Sequence, residues 1–309
     1  MNRHIILCLA LIMLGIQISS GQTSKRWAVV ELSSVYMRIA PDYESALETQ
    51  ELMGTVVEIT SEQGYWREIV SPQPYKAWCT EKGLTEMDEE QIKTYNDAQK
   101  CIYTGLYGHI QEKPSIKSRS ICDLVGGDIL RYAGRKGRWT KVMLPSGKTG
   151  WVPSADLKAH KGFRSIKMGE GDSSSISPKE TENIIAEAEK LVGVPYLWGG
   201  MTAKGVDCSG LVRISFLMNG ILLPRNASQQ IRCGDEVNMS SLDNLERGDL
   251  LFFGTPASEG KPQRITHVGI YLGDNRFIHS SHMVRINSLI PEEKDYYENS
   301  HRLIAARRL

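Results

Sequence analysis

Asp207-Cys208-Ser209-Gly210-Leu211-Val212-Arg213-Ile214-Ser215-Phe216 is the stretch that decides how this chain is read. Leu211, Val212, Ser215 and Phe216 share one face at helical spacing, and Asn219-Gly220 is a natural stop, so a helix starts beside Cys208. A cysteine attacks as thiolate. Aligned peptide dipoles at a helix N-terminus favour an anion, which predicts a thiol pKa lowered from about 8.5 into the range of about 3.5 to 7.5. A lone cysteine is more often buried filler than nucleophile. Here the surroundings point the other way.

Upstream, Val194-Pro195-Tyr196-Leu197-Trp198-Gly199-Gly200 reads as a tight, partly apolar turn. Downstream, Gly248-Asp249-Leu250-Leu251-Phe252-Phe253 is a turn feeding a buried strand. His267-Val268-Gly269-Ile270-Tyr271-Leu272-Gly273 is a strand that opens on histidine, Gly273-Asp274-Asn275 is a turn, and Arg276-Phe277-Ile278-His279-Ser280 is the return strand. A histidine brought from elsewhere in the fold can take the thiol proton while a third group fixes its tautomer.

In this order the pieces, from about Ser177 to Leu309, resemble the catalytic domain of the NlpC family of papain-like cell-wall cysteine peptidases. The resemblance implies Cys208 as nucleophile, His267 as general base and acid, and His279 as the residue that orients it. It also implies Tyr196 as a pocket tyrosine near the oxyanion, against the plainer reading of a core aromatic. Asp207 and Ser209 would line the substrate cleft, and Asp207 equally suits the N-cap of the cysteine helix. His4, His109, His160, His282 and His301 lack such a setting and are assigned no chemistry.

At 309 residues the chain suggests about two domains, large enough to bury cores without disulfides. A net charge of +1 and the lack of any basic tract give no case for nucleic acid. Met1-Asn2-Arg3-His4, the apolar run Ile5 to Ile18 and Ser19-Ser20-Gly21 have the form of a secretory signal peptide over 1–21. The run is short for a bilayer span, and Cys8 lies inside it rather than after it, so an exported protein without stable membrane insertion is expected, periplasmic or secreted and monomeric. Besides Cys8 there are five cysteines. With Cys208 free, Cys79, Cys101, Cys122 and Cys233 allow up to two bridges or four unpaired thiols, and spacing does not choose. No Cys/His cluster suggests zinc; no metal and no cofactor are expected.

Gly54, Trp66 and Trp78 recur 73 positions later as Gly127, Trp139 and Trp151, and the same offset carries Gly64 onto Gly137, Ile69 onto Val142 and Leu84 onto Leu157. Strand-like runs such as Thr55-Val56-Val57-Glu58-Ile59 and Asp128-Ile129-Leu130-Arg131-Tyr132 alternate with polar turns, which suggests a small antiparallel barrel in each copy. Both copies resemble bacterial SH3-like domains, with most tryptophans serving as core. The polar stretch Glu89 to Lys100 permits a bridging helix. Ala159 to Ile176 reads as linker, and Ser177-Pro178-Lys179-Glu180 is a capping box opening a helix with Ile184, Ile185, Ala188, Leu191 and Val192 as its apolar stripe, expected to pack on the histidine sheet.

The expected organisation is therefore signal peptide 1–21, first barrel 22–95, second barrel 96–160, linker 161–176 and peptidase domain 177–309. The fold class is α+β: a papain-like catalytic domain with a central antiparallel sheet behind two small all-β SH3-like barrels. The resemblance implies hydrolysis of the amide between γ-D-glutamate and the following diamino acid in peptidoglycan stem peptides or muropeptides, with the first barrel closing the cleft around a free N-terminal L-alanine and Tyr75 touching it. One departure stands out. Where amine-selecting members carry an acidic residue after the arginine, this chain has Arg225-Asn226-Ala227. Asn226 can accept a hydrogen bond from the substrate or simply cap a helix, and Glu44 or Glu48 is a candidate for the missing charge. Two other classes compete: a catalytically inert wall-binding protein, and a thiol acyltransferase on the same scaffold.

Overall fold

In the computed structural model the described residues are 25–72, 75–169 and 176–309. The leader assignment at 1–21 lies outside them. Among the described residues no helix is long and apolar enough to cross a membrane.

The repeat seen as glycine and tryptophan spacing is a repeat of whole sheets. Each copy is a seven-stranded antiparallel sheet, from Arg26–Val30 to Leu84–Met87 and from Lys100–Tyr103 to Leu157–His160. In both, the strands lie in the order third, second, sixth, fifth, fourth, first, seventh. Trp66 and Trp139 are buried, whereas Trp78 and Trp151 are only half-buried. The turn glycines Gly54 and Gly127 have φ of +84° and +98°, which explains why glycine recurs there.

The cores trade volume between copies. Val30 and Val35 in the first become Tyr103 and Gly108 in the second, where a Cβ on Gly108 would stand 2.2 Å from the Tyr103 hydroxyl. A close-packed interior accepts such exchanges only when one position shrinks as its neighbour grows. The copies meet at their equivalent turns: Ile129 N donates to the Met53 carbonyl at 2.9 Å, and Met53 N donates to the buried Asp128 carboxylate at 3.2 Å. The helix Glu89–Asp97 joins them, capped by Asp88 and Gln91.

In the last portion the sheet order is Asp235–Glu236, Leu303–Arg308, Leu250–Thr255, Arg264–Gly273, Arg276–Ser281 and Met283–Ser288, antiparallel throughout. The capping box at Ser177 is present, with Glu180 N donating to Ser177 Oγ at 3.3 Å and Ser177 N to the Glu180 carboxylate at 2.9 Å. Two expectations change. The helix Pro178–Glu189 packs chiefly on the cysteine helix Cys208–Leu217, which itself covers the sheet, because the more apolar helix, buried at every residue, claims the sheet face. The segment 161–169, read as linker, is docked: Arg164–Ser165 pairs in parallel with Ile221–Leu222, and Ile166 is buried.

Candidate active site

Cys208 is the first residue of the helix Cys208–Leu217 and Asp207 is its N-cap, accepting from Gly210 N at 2.6 Å. Asp207 does more than cap. Its two oxygens also take Gly199 N at 2.9 Å, Ser209 Oγ at 3.1 Å and both terminal nitrogens of Arg225, at 3.1 and 2.5 Å. A carboxylate with five donors has no lone pair to spare for substrate. Ser209 Oγ is likewise engaged, accepting from Arg225 Nη1 at 2.9 Å.

The sulfur is nearly enclosed, 8% exposed, with the Val268 and Ser209 amides reaching it. Burial and then the Asp207 charge push the thiol up to about 11, the reverse of the lowering expected from its helix position. The correction has a local cause. Burial of the sulfur disfavours the anion most, and the N-cap carboxylate adds a negative charge beside it, together outweighing the Val268 and Ser209 amides. Cys208 is therefore held as a neutral thiol.

His267 and His279 stand on adjacent strands joined by the turn at Asp274 and Asn275, both of which have positive φ. His267 Nε2 lies 2.7 Å from His279 Nδ1, and His279 Nε2 lies 2.9 Å from Asn287 Oδ1. Asn287 Nδ2 donates to the Asp295 carbonyl at 2.6 Å. That last bond orders the whole series. A carbonyl only accepts, so Asn287 turns its oxygen to His279; His279 Nε2 carries the proton, His279 Nδ1 accepts, and His267 Nε2 must donate to it. The bare nitrogen of His267 is consequently Nδ1, ready to receive a proton.

The rings of Phe253, Phe277 and Tyr297 enclose the pair, with Tyr297 4.7 Å from the His279 ring and Phe253 5.6 Å from that of His267. Desolvation, followed by the neighbouring His279 and Arg285, lowers His267 to about 3; burial, with Arg285 adding to it and the Asn287 hydrogen bond opposing it, lowers His279 to about 4. Both imidazoles are neutral at pH 7. His267 opens onto a pocket of about 490 Å³ lined also by Tyr196, Thr266, His282, Tyr297 and Asn299. Burial, then the nearby Cys208, raises the Tyr196 hydroxyl to about 12, so it stays a hydrogen-bond donor. His282, given no chemistry from sequence, lies on the pocket rim with φ of +64°.

The first repeat reaches this site. Its strand Leu47–Leu52 places Thr49 Oγ1 2.7 Å from Arg225 Nε and Gln50 Oε1 2.8 Å from Met201 N. Gly199, with φ of +75°, lets the same strand approach, since a Cβ there would stand 3.0 Å from the Glu48 carbonyl carbon. Tyr75 donates its hydroxyl hydrogen to Glu48 and also bonds the Asn226 side chain. Tyr75, Glu48 and Asn226 thus form one cluster, while Asn226 also opens the short helix Ala227–Gln230, its N–H donating to Gln229 at 3.0 Å. Glu44 bonds within its own turn, its N–H donating to Asp42 at 2.9 Å.

Sequence reasoning missed Asn287 and Arg225. Asn287 carried the weak signal of a polar residue two positions past Arg285 on an alternating strand; Arg225 stood out only as the arginine before Asn226, and nothing nearby showed its bonds to Asp207, Ser209 and Thr49, the last 176 residues away. All five described cysteines are unpaired thiols, so no bridge forms among Cys79, Cys101, Cys122 and Cys233. Among the described residues no group of three or more His, Cys, Asp or Glu is placed to hold a metal ion.

Residues 193–304 match the family model for the NlpC/P60 family, and residues 109–158 match that for the bacterial SH3 domain. Gamma-D-glutamyl-L-lysine dipeptidyl-peptidase of Bacillus cereus is 28% identical over 260 residues, covering 79% of this chain and 70% of that one. Dipeptidyl-peptidase 6 of Lysinibacillus sphaericus is 27% identical over 280 residues, 88% of this chain and 95% of that one. The crystal structure of an NlpC/P60 family protein from Bacillus cereus superposes with a TM-score of 0.73 at 23% identity, covering 91% of this chain and 99% of that one, which shows a common fold. Family match, fold and relatives converge on one conclusion: this chain is an enzyme with an NlpC/P60 cysteine peptidase domain behind an N-terminal portion that contains a bacterial SH3 domain.

Proposed function

We propose that the protein hydrolyses the γ-D-glutamyl to diamino acid amide of peptidoglycan stem peptides, with Cys208 as nucleophile, His267 as proton shuttle, and His279 and Asn287 as positioning residues. The observation that carries this reading is the ordered series from Asn287 through His279 to His267, which leaves His267 Nδ1 as the unprotonated nitrogen of a ring that lines the pocket. The relatives named as dipeptidyl-peptidases support the bond and substrate class. We read both sheet repeats as SH3-like barrels, the peptidase domain over 177–309 as papain-like, and the molecule as an exported monomer; the leader pattern of residues 1–21 supports export.

Because thiol and imidazole are both neutral at rest, attack and proton transfer proceed together. The thiol proton passes to His267 Nδ1 as sulfur bonds the γ-carbonyl carbon, and the carbonyl oxygen becomes an oxyanion beside the Tyr196 hydroxyl and the helix start. The C–N bond then breaks, with the imidazolium proton going to the leaving amine. Water gives a proton to His267 while its oxygen attacks the thioester; thiolate departs, regains that proton, and a free γ-carboxylate is released.

The first repeat selects the substrate. Glu48 supplies the carboxylate that Asn226 does not, for the ammonium of a free N-terminal L-alanine, and Tyr75 holds it in place. A binding module without catalysis would have no use for a fixed histidine tautomer, which favours an enzyme, and product analysis separates hydrolase from acyltransferase. Mass spectrometry of a defined L-Ala-γ-D-Glu-diamino acid peptide should show the dipeptide with a free carboxyl group. A new amide in the presence of an added amine, or an unchanged peptide, would refute hydrolysis.

A further inference from the structure

A second cavity, of about 500 Å³, lies where both repeats meet the cysteine helix, and it shares no lining residue with the catalytic pocket. Volumes of roughly 300–1,000 Å³ are those of small-molecule sites. Its floor is apolar, built by Leu52 of the first repeat with Leu217 and Leu222 of the catalytic domain. Into that floor projects Arg213 of the cysteine helix, 2% exposed. Among the described residues its Nε and Nη1 have no hydrogen-bond partner, and its charge partner there, Glu51, stands 3.7 Å from Nη2, too far for a hydrogen bond.

A guanidinium offers five N–H donors and is costly to bury without acceptors. The charge around it is also unbalanced. Among the described residues Arg213, Lys100 and Lys161 line the cavity against Glu51 as the single carboxylate, with His160 beside them. Water would satisfy the guanidinium but would also wet the leucine floor, and apolar surfaces of this kind favour an apolar occupant. The rim residues Asn96, Lys161 and Gly162 are exposed, so the cavity is reachable. Glu51 itself marks specialisation, since the equivalent position in the second repeat is Leu124, a buried core residue.

We infer that this cavity is a second ligand site, which takes a small organic carboxylate with its head on Arg213 and its apolar body along Leu52, Leu217 and Leu222. An occupant there bridges the first repeat, the second repeat at Gly127 and Ile129, and the helix that begins with Cys208. It therefore ties the strand Leu47–Leu52 to the cysteine helix from outside the catalytic pocket.

The test uses the full chain with octanoate as probe and octanamide as its uncharged twin, by calorimetry and crystal soaking. Octanoate should bind one per chain with density at Arg213, and octanamide should bind about tenfold or more weakly, the worth of a charged hydrogen bond. Arg213→Gln should weaken octanoate by a similar factor, and Lys161→Gln by a few-fold. Because Lys161 is exposed, its variant folds whether or not the Arg213 variant does. Cys208→Ala should bind octanoate as the wild type does. Absent binding, equal affinity for octanamide, indifference to Lys161→Gln in a folded protein, waters alone in the soaked cavity, or density in the catalytic pocket instead would overturn the assignment.

Discussion

The two repeats share a strand order and a buried tryptophan, yet only the first touches the catalytic centre. Its strand Leu47–Leu52 brings Glu48, Thr49, Gln50 and Glu51 against the peptidase domain. At the equivalent positions the second repeat has Ile121, Cys122, Asp123 and Leu124, and Lys148 stands where the first has Tyr75. The second repeat makes its own ties, through Asp123, 2.5 Å from Lys204, and through Ile102 and Val125, which pack into the core around the cysteine helix. One small β fold can thus be copied for architecture and then recruited for recognition by changing a single strand and one loop. In the proposed function, chemistry belongs to the C-terminal domain and substrate choice to the first repeat, with the second as a brace.

This division can be broken most severely at the thiol. Cys208→Ala should reduce turnover on the order of 10⁶-fold on any substrate while leaving the unfolding temperature close to wild type, since the site already encloses a small side chain. His267→Ala should approach that loss. His279→Gln keeps a hydrogen bond and should retain measurable activity, and Asn287→Ala should fall between it and the wild type. A fully active His267→Gln alongside a dead His279→Gln would exchange the two roles.

A smaller effect is expected from Glu48→Gln, which should cost about 10- to 100-fold in kcat/KM on peptides with a free N-terminal amine, matching the roughly 1.5–3 kcal/mol of a charge-assisted hydrogen bond. Tyr75→Phe should show part of the same loss. Lys148→Ala in the second repeat should stay within about twofold. Comparable losses at Lys148 and Tyr75 would erase the contrast between the repeats. Deleting the first repeat is a blunter probe, because it strips Arg225 of Thr49 and Arg213 of Glu51 and leaves buried guanidinium groups exposed to solvent.

The smallest effect is on stability. His267 and His279 have folded pKa values of about 3 and 4, below the ordinary 6.5, so between these values the unfolded chain binds more protons than the folded one. Their contribution is complete above the unfolded pKa and is lost as pH falls through the folded values, at most about 1.4 kcal/mol per pH unit per histidine. Urea titrations from pH 7 to pH 4.5 should show a shallower decline for His279→Gln than for wild type. Equal slopes would mean that the imidazoles are not held neutral by the fold.

Much of this was legible in the sequence because it is written locally. Strand alternation, the turn at Gly273-Asp274-Asn275 and the order of Cys208, His267 and His279 are short-range patterns, and the Gly and Trp spacing gave the repeat element by element. What was hidden depends on distance. Asn287 reaches His279 diagonally across paired strands, and Arg225 binds a threonine from another unit, neither of which leaves a mark on neighbouring residues. The thiol was misread for a related reason: the helix start argued for an anion, but the capping carboxylate and the burial that reverse it are tertiary facts. Residues 161–169 looked like linker because their polarity concealed one buried residue, Ile166.

The most direct test of the central claim is kcat/KM for the wild type and for Glu48→Gln on one stem peptide, with its N-terminal amine free and with it acetylated. The wild type should prefer the free peptide by about 10- to 100-fold, and Glu48→Gln should remove that preference by losing rate on the free peptide alone. A preference that survives in Glu48→Gln, or a variant that loses equally on both peptides, would contradict the assignment of substrate choice to the first repeat.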